Sequence, residues 1–151
     1  MTHRLPHDDE SQHGFWTTKT PANLGSLKKV VVAHQDVSAG ESIALLLGLK
    51  GFSSLFASDL VTSFAIIKHW RPDAILIDTR MENRFEYAFT HALLANPETS
   101  RIFALAMCDF ATDEPVQAIK DAGYDAMCRR PCPVWKLADL LNQYFLPPPT
   151  E

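Results

Sequence analysis

A chain of 151 residues, 46% hydrophobic and 21% charged, is long enough to bury one core and too short for two comfortable domains. A formal net charge of −4, with no Lys/Arg stripe along any helical stretch, excludes the basic footprint that nucleic-acid binding needs. No apolar run approaches the roughly 20 residues that span a bilayer, and the first residues lack a signal peptide's apolar segment, so a cytoplasmic protein with neither nucleic-acid nor membrane partners is expected. Cys108, Cys128 and Cys132 are odd in number and unevenly spaced, which argues for reduced thiols rather than a disulfide framework.

Residues 1–26 are polar, with His3, His7 and His13, an acidic run Asp8-Asp9-Glu10 and no periodicity, and read as a flexible tail. Phe15-Trp16 is the exception, an aromatic pair of the kind that docks against a domain or a partner. The sequence then alternates between short apolar runs and amphipathic stretches, the pattern of βα units on a parallel sheet. A first strand is expected over 28–33, then a helix over 38–50 that places Ile43, Leu46, Leu47 and Lys50 on one face and stops at Gly51. A second strand over 52–57 leads to a helix capped by Asp59, carrying Phe64, Ile67 and Trp70 inward and ended by Pro72.

The third strand is the most distinctive stretch: Ala74-Ile75-Leu76-Ile77 is unbroken and apolar, reading as a strand buried on both faces, and it stops on Asp78. A third helix follows over 85–94, a fourth strand over 101–106, a short fourth helix over 114–122 closed by Gly123, and a fifth strand over 124–129. The last helix, over 133–145, starts on Pro133 and buries Leu137, Leu140, Leu141 and Tyr144. Pro147-Pro148-Pro149 leads into a proline-rich tail over 147–151.

Five strands alternating with five helices close as an α/β flavodoxin-like (βα)5 doubly wound parallel sheet of order 2-1-3-4-5, with the domain spanning 27–146. The switch point lies between strands one and three, so the loop after Ala33 falls beside Asp78, at the sheet edge where such folds bind ligands.

The residues over about 28–145 resemble the receiver domains of two-component response regulators. The resemblance is carried by Glu41-Ser42-Ile43-Ala44-Leu45-Leu46-Leu47, by Arg71-Pro72-Asp73-Ala74-Ile75-Leu76-Ile77-Asp78-Thr79-Arg80-Met81, by Ala104-Leu105-Ala106, and by Ala122-Gly123-Tyr124-Asp125-Ala126 leading to Arg130-Pro131. It implies that Asp78 matches the phosphoacceptor aspartate. It also implies that His34-Gln35 stand where the family has an acidic metal-binding pair, Ala106 where it has a Ser/Thr, Met127 at its aromatic switch position and Arg130 at its lysine.

Each departure bears on chemistry. A histidine and a neutral amide are poor ligands for a hard ion, so Mg²⁺ binding is expected to be weak or absent and no other cofactor is expected. Alanine has no hydroxyl to report a new phosphoryl group, and an arginine fork differs in reach from an ammonium although it pairs well with a carboxylate such as Asp78. Asp36 is expected to cap the first helix. His34, Asp78 and Cys108 are a conceivable Zn²⁺ set, with Cys108 placed past the strand end. Cys128 and Cys132 read as small buried thiols.

The resulting expectation is a stand-alone, atypical receiver domain, not an enzyme, acting in phosphorelay signalling through protein–protein contacts with a histidine kinase or a downstream signalling protein. The resemblance implies a partner or homodimer face built from helix four, strand five and helix five, with Arg129 and Trp135 as contacts. The alternatives are a phosphorylation-competent single-domain response regulator with Asp78 as acceptor, and a flavodoxin-like cofactor protein. The latter is poorly served by a loop after strand one, 33–38, that holds a single hydroxyl.

Overall fold

The computed structural model describes residues 12–21 and 27–146. The residues that the tail readings also cover, 1–11, 22–26 and 147–151, lie outside the described residues.

Strands β2 (Lys29–Ala33), β3 (Ser53–Ala57), β4 (Ala74–Asp78), β5 (Phe103–Cys108) and β6 (Ala126–Arg129) pair in parallel, with β2 and β4 adjacent at the sheet centre. This is the expected order, extended by one. His13–Phe15, read from sequence as tail, form strand β1 and pair antiparallel with β6, making a six-stranded sheet β1-β6-β5-β4-β2-β3. The correction has a physical basis: Phe15 and Trp16 point to opposite sides of the sheet and join opposite cores.

Helices α1 (Val37–Leu49) and α5 (Val134–Phe145) cover one side of the sheet. On the other side lie α2 (Leu60–Trp70), α3 (Ala88–Ala95) and α4 (Val116–Ala122). Every residue of β4 and β5 is buried, as a strand with helices on both faces must be. The helix faces are narrower than their patterns suggested: α1 buries Gly40, Ile43 and Leu47 but leaves Leu46 and Lys50 exposed, and α2 buries Ile67 but not Phe64. Gly40 admits Phe56, whose ring would lie 2.2 Å from a Cβ there. The α5 face holds all four expected residues, and Asp36 and Asp59 cap α1 and α2 by accepting from Ala39 N and Thr62 N.

The segment after β4 departs most from expectation. Two 3-10 turns, Thr79–Met81 and Asn83–Phe85, replace the start of the third helix, which begins only at Ala88. Glu82 explains the delay. It is wholly buried between the turns, and its carboxylate accepts from Thr90 N at 2.9 Å, from Thr90 Oγ1 at 2.5 Å and from the Tyr124 hydroxyl. Binding this carboxylate inside requires the chain to turn inward before the helix can start.

Candidate functional site at the carboxyl end of the central strands

Asp78 ends β4 with no solvent exposure, beside the loop that follows β2. Five donor groups from three residues close on its carboxylate. Arg80, two residues on, folds back so that its Nε lies 3.0 Å from Oδ1 and its guanidinium nitrogen 2.9 Å from Oδ2, while Arg80 N donates to Oδ1 at 3.1 Å. Arg130, from the loop after β6, donates to Oδ1 at 2.8 Å, and Gln35 N donates to Oδ2 at 3.2 Å. Burial alone pushes the Asp78 carboxyl up. The Arg80 hydrogen bonds, then the charge of Arg130, outweigh it and hold the group below the usual carboxylate range.

The two arginines reach Asp78 by different routes. Arg80 sits in the first 3-10 turn, where the chain reverses and an i to i+2 reach is short. Arg130 also donates to Met107 O and pairs with Asp109, so its planar fork bridges the ends of β4 and β5. Sequence reading passed over Arg80, for which the only signal was a cation two residues past a strand-ending carboxylate.

His34 is buried, with Nδ1 3.4 Å from Asp78 Oδ2. The same nitrogen accepts from Asp36 N at 3.0 Å and therefore carries no proton, so the ring is neutral and the Asp78 contact is no salt bridge. Desolvation is the largest influence and, with Arg80 and Arg130 nearby, holds the imidazole below its usual range despite the raising effect of Asp78.

The structure relocates several residues singled out from sequence. The strand expected to end at Ala106 runs on to Cys108; Ala106 pairs with Ile77, and Met107 is registered opposite Asp78. Cys108 accordingly ends the strand instead of lying beyond it, with its Sγ 4.0 Å from Met127 Sδ and 3.4 Å from an Arg129 guanidinium nitrogen. Among the described residues no cluster of three His, Cys, Asp or Glu side chains is disposed to hold a metal ion.

Met127, at the switch position, is fully buried on β6 beside β1, and Arg129 is 3% exposed, so Arg129 is no surface contact. The Arg129 guanidinium donates to Asp109 O at 2.6 Å and to Glu114 O at 2.5 Å, fastening the start of the α4 segment to β6. Trp135, at 64% exposure, is the accessible member of the expected face. The only hydroxyl immediately after Asp78, on Thr79, is already turned toward Glu114, 2.6 Å from its Oε1.

Beside the ion pairs opens a pocket of about 430 Å³ with His34, Asp36 and Arg80 on one wall and Met107, Arg130 and Cys132 on another. No helix among the described residues is long and apolar enough to cross a membrane.

No protein-family model matches the chain, and no curated protein matches it. Solved structures do. The chain is similar to the chemotaxis response regulator CheY4 of Vibrio cholerae, with a TM-score of 0.71 at 19% identity over 79% of this chain and 99% of that one. It is similar to the receiver domain of a sensor histidine kinase from Pseudomonas aeruginosa, a structure with a magnesium ion coordinated in the active-site cleft. That match has a TM-score of 0.69 at 18% identity over 80% of this chain and 98% of the other. A CheY-like receiver domain from Methylobacillus flagellatus gives 0.68 at 20% identity, covering 79% of this chain and 99% of its own. The chain has the fold of response-regulator receiver domains, α/β and flavodoxin-like, with an added antiparallel edge strand.

Proposed function

We propose that this chain is a receiver-type signalling module that works by binding protein partners, with its phosphoacceptor position held closed by internal ion pairs. The observation that carries the reading is the engagement of both Asp78 oxygens by Arg80, Arg130 and Gln35 N. A carboxylate that attacks phosphorus needs a free oxygen and a metal ion to neutralise the phosphoryl charge. Here the neutralising charges are built in and sit on the attacking atoms themselves.

The residues present do not fit Mg²⁺, which demands a near-octahedral set of oxygens. The Asp78 carboxylate is buried behind the pocket's Arg80 and Arg130, and these two guanidinium groups hold it. His34 offers a nitrogen already accepting from Asp36 N, and the Asp36 carboxylate accepts from Ala39 N. Neither Ala106 nor Met107 brings a hydroxyl to report a phosphoryl group.

The partner is proposed to be a signalling protein, either a histidine kinase or a downstream component, meeting the face of α4, β6 and α5. Because β1 already covers the outer edge of β6, contact on that face falls on the first turn of α5 around Trp135. The test of the closed pocket is exposure to acetyl phosphate and Mg²⁺ followed by intact-mass measurement. No phosphoryl gain is expected. A gain that disappears in Asp78→Asn would overturn the reading.

A further inference from the structure

The loop that delivers Arg130 to Asp78 is bracketed by two thiols, Cys128 on β6 and Cys132 just before α5. Three residues separate them, and the turn brings them together: Cys132 Sγ lies 2.9 Å from Cys128 O, and both side chains pack into the core on the α1 and α5 side. Cys132 is half-buried and lines the pocket beside Arg130, which gives a small solute a path to its sulfur. Cys128 lies behind it at 3% exposure. The third cysteine is differently placed, its Sγ between Met127 and Arg129, and burial pushes that thiol up to about 12.

We infer that Cys128 and Cys132 form a peroxide-sensitive dithiol whose oxidation ties off the Arg129-Arg130-Pro131 loop and locks Arg130 onto Asp78. The contact between the two side chains lowers the Cys128 thiol and raises Cys132, so Cys128 is the more acidic of the pair and Cys132 keeps its proton. The accessible Cys132 sulfur attacks one peroxide oxygen as its proton passes to the deprotonated Cys128. An S–O bond forms, the O–O bond breaks, and the departing hydroxide takes the Cys128 proton to become water. The Cys128 thiolate then attacks the Cys132 sulfenic sulfur. The S–S bond forms, the S–O bond breaks, and the second hydroxide leaves as water with a proton from solvent. Two thiols are oxidised by two electrons and one hydrogen peroxide is reduced to two waters.

The sequence supplies an unambiguous readout. Trypsin cleaves between Arg129 and Arg130 but not before Pro131, so after digestion Cys128 and Cys132 lie on separate peptides that only a disulfide joins. The full chain is treated with hydrogen peroxide, alkylated and digested without reductant. The expected result is a joined peptide pair, an intact mass lower by two hydrogens, reversal by dithiothreitol, and loss of the joined pair in both Cys128→Ser and Cys132→Ser. Independent alkylation of both cysteines after peroxide, over-oxidation of Cys132 without a joined pair, or a joined pair containing Cys108 would each overturn the proposal.

Discussion

Replacing Arg130 by alanine probes the closed pocket most sharply, because its effect depends on what Asp78 is. In the wild type the mutation removes one of two guanidinium groups from a carboxylate with no solvent exposure. Two unit charges about 4 Å apart interact by about 4 kcal/mol at an effective dielectric of 20, and breaking a buried pair typically costs about 3–5 kcal/mol. Arg80 still neutralises Asp78, which places the expected loss near the lower end, about 3 kcal/mol. In an Asp78→Asn background the anion is gone, and Arg130 retains only its bonds to Met107 O and Asp109. There Arg130→Ala should cost about 1 kcal/mol or less. The coupling between the two mutations is therefore about 2 kcal/mol, a large share of the roughly 5–15 kcal/mol that holds a domain together. Urea unfolding of the four proteins at neutral pH, with unchanged slope, measures it. Additive losses, equal within about 0.5 kcal/mol, would refute the ion-pair account.

Three further outcomes follow from the same structure. Arg129→Glu places a carboxylate against Glu114 O and Asp109 O in a buried site and should destabilise by more than about 3 kcal/mol, whereas exposed Trp135→Ala should shift stability by less than about 0.5 kcal/mol while weakening partner binding. Trp16→Ala removes the indole bond to Tyr124 O and the ring under Lys120, and should cost about 2 kcal/mol; amide exchange at Arg129 N, which donates to Gln12 O, should speed up before the central strands respond. Lowering the pH should erode stability in two steps. The folded His34 holds its proton less tightly than the unfolded chain, so its contribution is complete above about pH 6.5 and declines below it. The depressed Asp78 contributes above about pH 4 and is lost as pH falls through its folded value. Stability against pH should lose the upper step in His34→Gln and the lower one in Asp78→Asn.

How much of this was legible in the sequence depends on whether neighbours along the chain or across the fold set each feature. The β4 run 74–78 and the α5 face around Leu137 and Leu141 are written in local pattern and stand where that pattern puts them. Proximity of Asp78 to the loop after Ala33 follows from topology alone, and Arg130 reaches Asp78 because an arginine fork seeks a buried carboxylate. Features set across the fold were not legible. Strand β1 owes its form to the open edge of β6 and to Trp16 finding Tyr124 O, since three residues with a single apolar side chain carry no strand pattern of their own. The late start of α3 depends on Thr90 and Tyr124 meeting Glu82, and the burial of Arg129 depends on two carbonyls delivered by the loop before α4. The expected end of this strand at Ala106 falls short because β5 keeps pairing with β4 and β6 as far as Cys108.

The central claim is that arginines hold Asp78 closed, and an amide NMR titration of the protein with Mg²⁺ followed by beryllofluoride tests it most directly. The account predicts a spectrum that stays unchanged at Asp78, Met107 and along β6. Shifts centred on Asp78 that spread into β6 would contradict it, because they would mean that the carboxylate releases Arg80 and Arg130 to accept a phosphoryl mimic and its metal.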